Sequence, residues 1–277
     1  MRPTGRFRDV WVCFRPIGRG VAGVLCALGA LALLGALGAG MASGERTQRG
    51  NLIVALDGGL APLKLPRDRP APVAVHLEGG LQTTDGALLP RVTRVELGLP
   101  AQGTLSTRGL PTCSQRRLRN TTSEEALAVC QGALVGNGRL QADVLLPHQA
   151  PFGIDADLLA FNGRVGGRRA VIVHAYAAEP PTAVTLPFLV RHGGGRFGLA
   201  LVADLPPTLG PWPHLAHFDL TLSRRYTYRG QRRSYLSASC PIPPALTAGF
   251  FSFAKASFTL AGGGQIGTGI ARGCRAR

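Results

Sequence analysis

From residue 51 onward, short apolar runs alternate with Gly- or Pro-rich breaks every 8–15 residues, and 3.6-residue periodicity is almost absent. About twelve runs have strand character. They include "NLIVAL" (51–56), "PVAVHLE" (72–78), "RVTRVELGL" (91–99), "GRLQADVLL" (138–146), "DLLAFNG" (157–163) and "RRAVIVHAY" (168–176). The series continues with "AVTLPFLVR" (183–191), "RFGLALVADL" (196–205), "HLAHFDLTLSRRYTYR" (214–229), "QRRSYLSAS" (231–239), "FFSFAKASFTLA" (250–261) and "QIGTGIAR" (265–272). In "HFDLTL", Phe218, Leu220 and Leu222 point one way and His217, Asp219 and Thr221 the other, the two-residue period of a half-buried strand. No helices of 10–15 residues separate the runs, which excludes βαβ units and a doubly wound parallel sheet. The expected fold is all-β: an antiparallel β-sandwich of about twelve short strands with one short helix, preceded by an N-terminal hydrophobic helix. A barrel enclosing a ligand is the alternative.

The one helical signature after residue 50 is "NTTSEEALAVCQG" (120–132). It has Ser or Thr to cap, Glu124 and Glu125 in the first turn, and Gly132 as a stop. Cys113 and Cys130 bracket it. A bridge between them would close a loop worth about 3 kcal/mol in the chain-entropy model, so a covalent staple explains the segment without a ligand. Arg116, Arg117 and Arg119 in the same stretch read as a solvated loop.

Five arginines and one acid precede an uncharged run over residues 20–44, long enough to cross a bilayer. The basic flank orients the remainder outward. Residues 1–42 are a signal peptide, with Gly40-Met41-Ala42 as the small-x-small triplet before Ser43, or an uncleaved membrane anchor. Cys26 lies inside the run, which argues against a lipid-modified cysteine. Residues 43–50 read as a polar linker and 51–277 as the exported domain. Cys13 and Cys26 belong to the leader, leaving Cys113, Cys130, Cys240 and Cys274 for an oxidising compartment. Two disulfides are expected there; three connectivities are open, and locality favours 113–130 with 240–274. A zinc site is the competing use, but the chain has no C-x-x-C pair.

The region from Ser43 carries 26 Lys+Arg against 14 Asp+Glu, and only Lys64 and Lys255 are lysines. Arginine richness alone reads as the coding bias of a GC-rich genome. Its distribution does not: residues 220–277 contain no Asp or Glu and carry nine basic side chains. The densest part, "SRRYTYRGQRRSY" (223–235), reads as a hairpin turning at Arg229-Gly230. Its candidate anion-contacting residues are Arg224, Arg225, Tyr226, Tyr228, Arg232, Arg233 and Tyr235, with Arg224, Tyr226 and Tyr228 expected on one face. Arginine forks pair with phosphate, sulfate or carboxylate, and tyrosine faces stack on sugars or cations. The expected partner is an acidic envelope polymer or an anionic lipid surface; export makes nucleic acid an improbable target. The competing role is a charged hairpin that blocks edge pairing.

Other motifs reduce to structure. "GGGRFG" (193–198) and "GGGQIG" (262–267) match G-x-G-x-x-G, but each lies between two strands and reads as a hairpin turn. No Walker loop, G-x-S-x-G or H-E-x-x-H is present. His214, His217 and Asp219 are the sharpest metal candidates, yet on an unbroken strand 214 and 217 face opposite sides. His174 sits in an apolar run as a hydrogen-bonded core histidine, and Asp155 with Asp157 read as a turn entering a strand. No cofactor and no catalytic residue is assigned.

With "GLPTC", "ALVGNG", "AFNG", "HAY" and "SYLSASCP", the exported region resembles a group of uncharacterised secreted, β-rich proteins of high-GC actinobacteria. The resemblance covers all four exported cysteines. It implies export and a β-rich fold, and adds no chemistry. Three functions follow: a non-enzymatic envelope-associated β-sandwich, a secreted hydrolase with a site assembled from scattered Asp and His, or a barrel carrying an apolar ligand.

Overall fold

The computed structural model of the chain describes residues 44–146, 148–207 and 213–277. The apolar run over 20–44, with its signal-or-anchor reading, lies outside the described residues except for Gly44. Among the described residues no helix is long and apolar enough to cross a membrane.

The fold is almost entirely β. In chain order the first strands are β1 (Glu45–Arg49), β2 (Leu52–Ala61), β3 (Lys64–Leu65), β4 (Ala71–Pro72), β5 (Ala74–Thr83), β6 (Val92–Pro100) and β7 (Gly103–Leu105). After the helix α1 (Ser123–Cys130) come β8 (Leu134–Val144), β9 (Phe152–Val165), β10 (Arg168–Ala178), β11 (Pro181–His192) and β12 (Phe197–Asp204). The last are β13 (Pro213–Leu222), β14 (Arg225–Tyr228), β15 (Gln231–Ser234), β16 (Leu236–Ala238), β17 (Ala248–Leu260) and β18 (Gln265–Ala276).

Thirteen of these strands form one sheet, in the order β1-β2-β5-β13-β8-β9-β10-β11-β12-β6-β17-β18-β3. Every pairing is antiparallel except β18 with β3. Where two facing sheets were expected, a single ladder continues from strand to strand and curls. Twist is inherent to L-residue strands, and bulges in β12, β13, β8 and β17 add local bends. The curl brings β18 alongside β1 and β2. No ladder forms there; side chains cross the seam instead. Arg49 Nη1 donates to the Gln265 carbonyl at 2.8 Å, and Arg272 donates to the Gly58 carbonyl and the Asp57 carboxylate. The segment 43–50, expected as a linker, contains β1, paired with β2 from Glu45↔Leu56 to Arg49↔Leu52. "ERTQR" is an all-polar edge strand, so it carries no apolar period for sequence patterning to detect.

The two ends of the curl differ. At one end, the three-stranded sheet β4-β16-β7 lies across Leu60, Val75, Leu99 and Phe253, with its own Leu105 and Leu236 and the adjoining Tyr235 buried. Cys240–Cys274 ties the segment after β16 to β18 at that end, with a Cα separation of 5.9 Å. The hairpin β14–β15 sits there too, turning at Arg229 (φ 50) and Gly230 (φ 72). Two successive positive φ values make the tight turn whose twist matches antiparallel strands. The other end carries the β10–β11 turn and the ends of β12, β8 and β9.

Strands β9 and β10 are buried on both faces. Leu158, Ala160 and Val171 join the interior core, whereas Leu159, Phe161, Ala170 and Ile172 form a second core on the outside with Leu118, Ala126 and Cys130. This double burial is why "AVIV" reads as a continuous apolar run. Helix α1 is held by a reciprocal cap: Glu125 N donates to Thr122 Oγ1 at 3.2 Å, and Thr122 N to Glu125 Oε2 at 2.9 Å. Cys113–Cys130 bridges its end to the loop on Asn162, whose carbonyl accepts from Cys113 N at 2.8 Å. The stapled helix therefore covers the outer face of β9–β10, away from the interior.

Candidate functional site

The inward face of the curled sheet is not filled. A chamber of about 190 Å³ lies between β8, β9, β10, β11 and β13 on one side and Val95, Leu97 and Phe258 on the other. Its floor follows the strand register. Ala142 sits opposite Ile154, Leu140 opposite Ala156, and Leu158 opposite Ala175, which in turn faces Val184. Small residues make the space: Ala142, Ala156, Ala175 and Ala177 stand where larger aliphatics would close it. Val173, Val184, Leu186, Phe188, Leu215 and Leu220 are only half-buried although they point inward. Among the described residues Thr182 is the sole hydrogen-bonding side chain in the lining; it is exposed, and Leu205 and Pro213 near it are half-buried, which marks the mouth. An apolar space of this kind stays dry and takes apolar groups.

The arginine hairpin is at the opposite end. Its inner face is docked on the protein. Tyr226 donates its hydroxyl to the Arg108 carbonyl at 2.9 Å, and the Tyr228 ring lies on Gly109, where a Cβ would collide with the ring. Gly109 has φ +79, so glycine is required there twice over. Tyr228 carries the guanidinium groups of Arg229 and Arg233 at 5.4 and 5.8 Å from its ring centre. Of the candidate residues, Tyr226 and Tyr228 are thus largely used in packing. Tyr235 is wholly buried, with its hydroxyl unpartnered and its ionisation pushed strongly upward by desolvation. It belongs to the core because the chain turns inward after Ser234 to enter β16.

Arg225 and Arg232 stand on the other face of the hairpin, while Arg233 is the cross-strand partner of Tyr226 and shares its face. Arg225, Tyr226, Arg232 and Arg233 line a groove of about 430 Å³ with Arg277 and Pro72. Among the described residues none of these four arginines forms an ion pair.

No protein family, curated protein or solved structure matches the chain. The two sites are therefore read from their own geometry.

A third cluster lies on the outer face of β5 and β13. His76 Nε2 is 3.1 Å from Asp219 Oδ2, and His217 Nε2 is 3.6 Å from Glu78 Oε1. Donor atoms of His76, Glu78 and Asp219 lie within 4.8 Å of one another. His76 and Asp219 are within hydrogen-bonding distance, whereas His217 and Glu78 are not. The sequence triad of His214, His217 and Asp219 is not what assembles, since His76 comes from a strand 143 residues away. A bulge between Leu215 and His217 also resets the alternation. His214, His217 and Asp219 pair with Asp143, Gln141 and Arg139, which share one face.

The remaining candidates are structural. Gly193–Gly198 links β11 to β12 and Gly262–Gly267 links β17 to β18 as antiparallel hairpins. His174 is fully buried beneath the stapled segment, 3.1 Å from Thr185 Oγ1. Asp155 accepts from Gln141 at 3.0 Å and Asp157 from Ser123 at 3.3 Å, both from within β9. Arg116, Arg117 and Arg119 are exposed.

Proposed function

We propose that this protein is an exported carrier that holds one acyl chain inside the curled sheet, which acts as an open barrel. The supporting observation is the chamber, a space walled by aliphatic and aromatic side chains with Thr182, the one polar lining group among the described residues, at the mouth. Among the described residues the walls are aliphatic and aromatic, the surroundings that hold an acyl chain by burial. A volume near 190 Å³ is below the roughly 300–1,000 Å³ of sites for drug-sized ligands, which suits a single chain and not a bulky molecule. At about 0.8 kcal/mol per methylene, eight buried methylenes supply about 6 kcal/mol, a reversible grip. A polar headgroup would stay outside, beside Thr182.

Two disulfides, Cys113–Cys130 and Cys240–Cys274, support an oxidising, extracytoplasmic location. This also fits the resemblance to secreted actinobacterial proteins. Of the three functions expected from sequence, the carrier gains most from the geometry. The hydrolase gains least, because among the described residues no Asp or His lines the chamber or the arginine groove.

The test is extraction of the purified protein with organic solvent and mass spectrometry of what is released, followed by titration with a fluorescent fatty acid. Saturable binding at one site supports the carrier; no saturable uptake by the delipidated protein refutes it.

A further inference from the structure

We infer that the closed end of the barrel is a docking face for an anionic lipid bilayer. This inference stands on different residues from the chamber and does not depend on it.

Three observations converge. The first is positive charge with no ion pair among the described residues. Arg225, Arg232 and Arg277 are exposed, Arg233 is half-buried, and the four line one groove. The Arg233 Nε is buried with no acceptor, its Nη2 reaches the neutral Gln231 side chain at 3.2 Å, and its guanidinium lies 5.8 Å from the Tyr228 ring centre, so these neighbours are both neutral. An Arg fork meets phosphate oxygens in pairs, and such a groove presents several forks at once. The second is acid exclusion: the 58 residues from Leu220 to the end of the sequence contain no carboxylate side chain, so nothing in this segment opposes an anionic surface.

The third observation separates a membrane from a soluble polyanion. Large apolar side chains stand in water at the same end: Phe250 is 88% exposed, Leu63 54% and Leu246 50%. They gather around the last residues of β18. Arg275 N donates to the Leu63 carbonyl, Ala276 N to the Thr247 carbonyl, and Phe250 pairs with Gly273. Arg277, two residues beyond Arg275, lines the arginine groove, so the apolar and cationic groups share one border. A hydrated acidic polymer offers Phe250 and Leu246 nothing. A bilayer offers the phosphate layer to the arginines and the acyl boundary to the apolar tips, the pairing found in interfacial membrane binders. Docked this way, the chamber mouth points away from the bilayer.

The test is flotation of the purified protein with vesicles of phosphatidylcholine alone or with 30 mol% phosphatidylglycerol. Binding is expected only to the anionic vesicles and to fall as salt rises. Arg225/Arg232/Arg233→Ser should weaken partition about 100-fold, and Phe250→Ser about fivefold, with thermal unfolding of both variants compared to confirm folding. The chamber variant Ala175→Phe should float as wild type does, so failure of the carrier reading leaves this result intact. Equal binding to neutral vesicles would overturn the inference. So would retention of full binding by the triple variant, or binding to soluble polyglycerol phosphate as tight as to vesicles and insensitive to Phe250→Ser.

Discussion

Arg272 Nη2, in the last long strand, contacts the carboxylate of Asp57, 215 residues earlier, while its Nε donates to the neighbouring Gly58 carbonyl. The two ends of the curled sheet are joined at this point by one side chain. No β ladder does the work, so the barrel has a seam and Arg272 is its clasp. Its side chain is 12% exposed, which removes most competition from water.

Arg272→Ala should therefore destabilise the fold by about 2 kcal/mol, since the half-buried Gly58 carbonyl loses its Arg272 donor and the Asp57 carboxylate, left with the Gly58 N–H, loses its cation. Arg49→Ala, which removes an exposed contact to Gln265, should cost clearly less. Urea unfolding measures both, and equal midpoints for wild type and Arg272→Ala would show that the seam holds without the clasp.

The stapled helix lies on the convex side of β9–β10, and this separates stability from ligand uptake. Replacing Cys113 and Cys130 by Ala should remove about 3 kcal/mol of stability by releasing a short loop. Fatty-acid affinity at a temperature where the variant is folded should stay within about twofold, because no residue of α1 lines the chamber. Loss of binding in a folded variant would mean that the helix gates the chamber.

His174 makes the outer core pH-sensitive. Burial holds it below the ordinary histidine range, with the backbone at Thr121 and Thr122 acting in the opposite sense. The unfolded chain takes up a proton near pH 6.5, where the folded form does not. Stability due to this group is thus complete above that pH and declines as pH falls toward the depressed folded value. The unfolding midpoint should be lower at pH 5.0 than at pH 7.5, and His174→Gln should flatten that slope. An unchanged slope in the variant would assign the dependence to other groups.

Tyr235 buries a hydroxyl that finds no partner. Tyr235→Phe should consequently leave stability unchanged or raise it by up to about 1 kcal/mol. A loss larger than that, measured by thermal unfolding, would reveal a hydrogen bond to this hydroxyl.

Local features were legible in the sequence where one residue pair decides them. Arg229-Gly230 announces its turn, Thr122 with Glu125 announces the helix start, and Gly193–Gly198 announces a strand-to-strand link. Alternation along "HFDLTL" is readable up to the bulge at Leu215–His217, which silently returns His214 to the face of His217. The chamber was not legible. Ala142, Ala156, Ala175 and Ala177 look like the alanine excess of the whole chain, and only strand register places them around one space. The same holds for His76 and Asp219, and for the groove that joins Arg277 to a hairpin some fifty residues earlier. Nor was the docking of Tyr228 on Gly109 legible, because the two are remote in sequence.

The central claim is that the chamber holds an acyl chain, and the most direct measurement fills it. Ala175 lines the floor and is half-buried, so a larger side chain there projects into empty volume and not into packed neighbours. Titration of delipidated wild type and Ala175→Phe with the same fluorescent fatty acid, with thermal unfolding alongside, compares occupancy at constant fold. The carrier account requires one saturable site in the wild type and at least tenfold weaker binding in Ala175→Phe, with an unfolding midpoint no lower than that of the wild type. Unchanged affinity in a well-folded Ala175→Phe would contradict it.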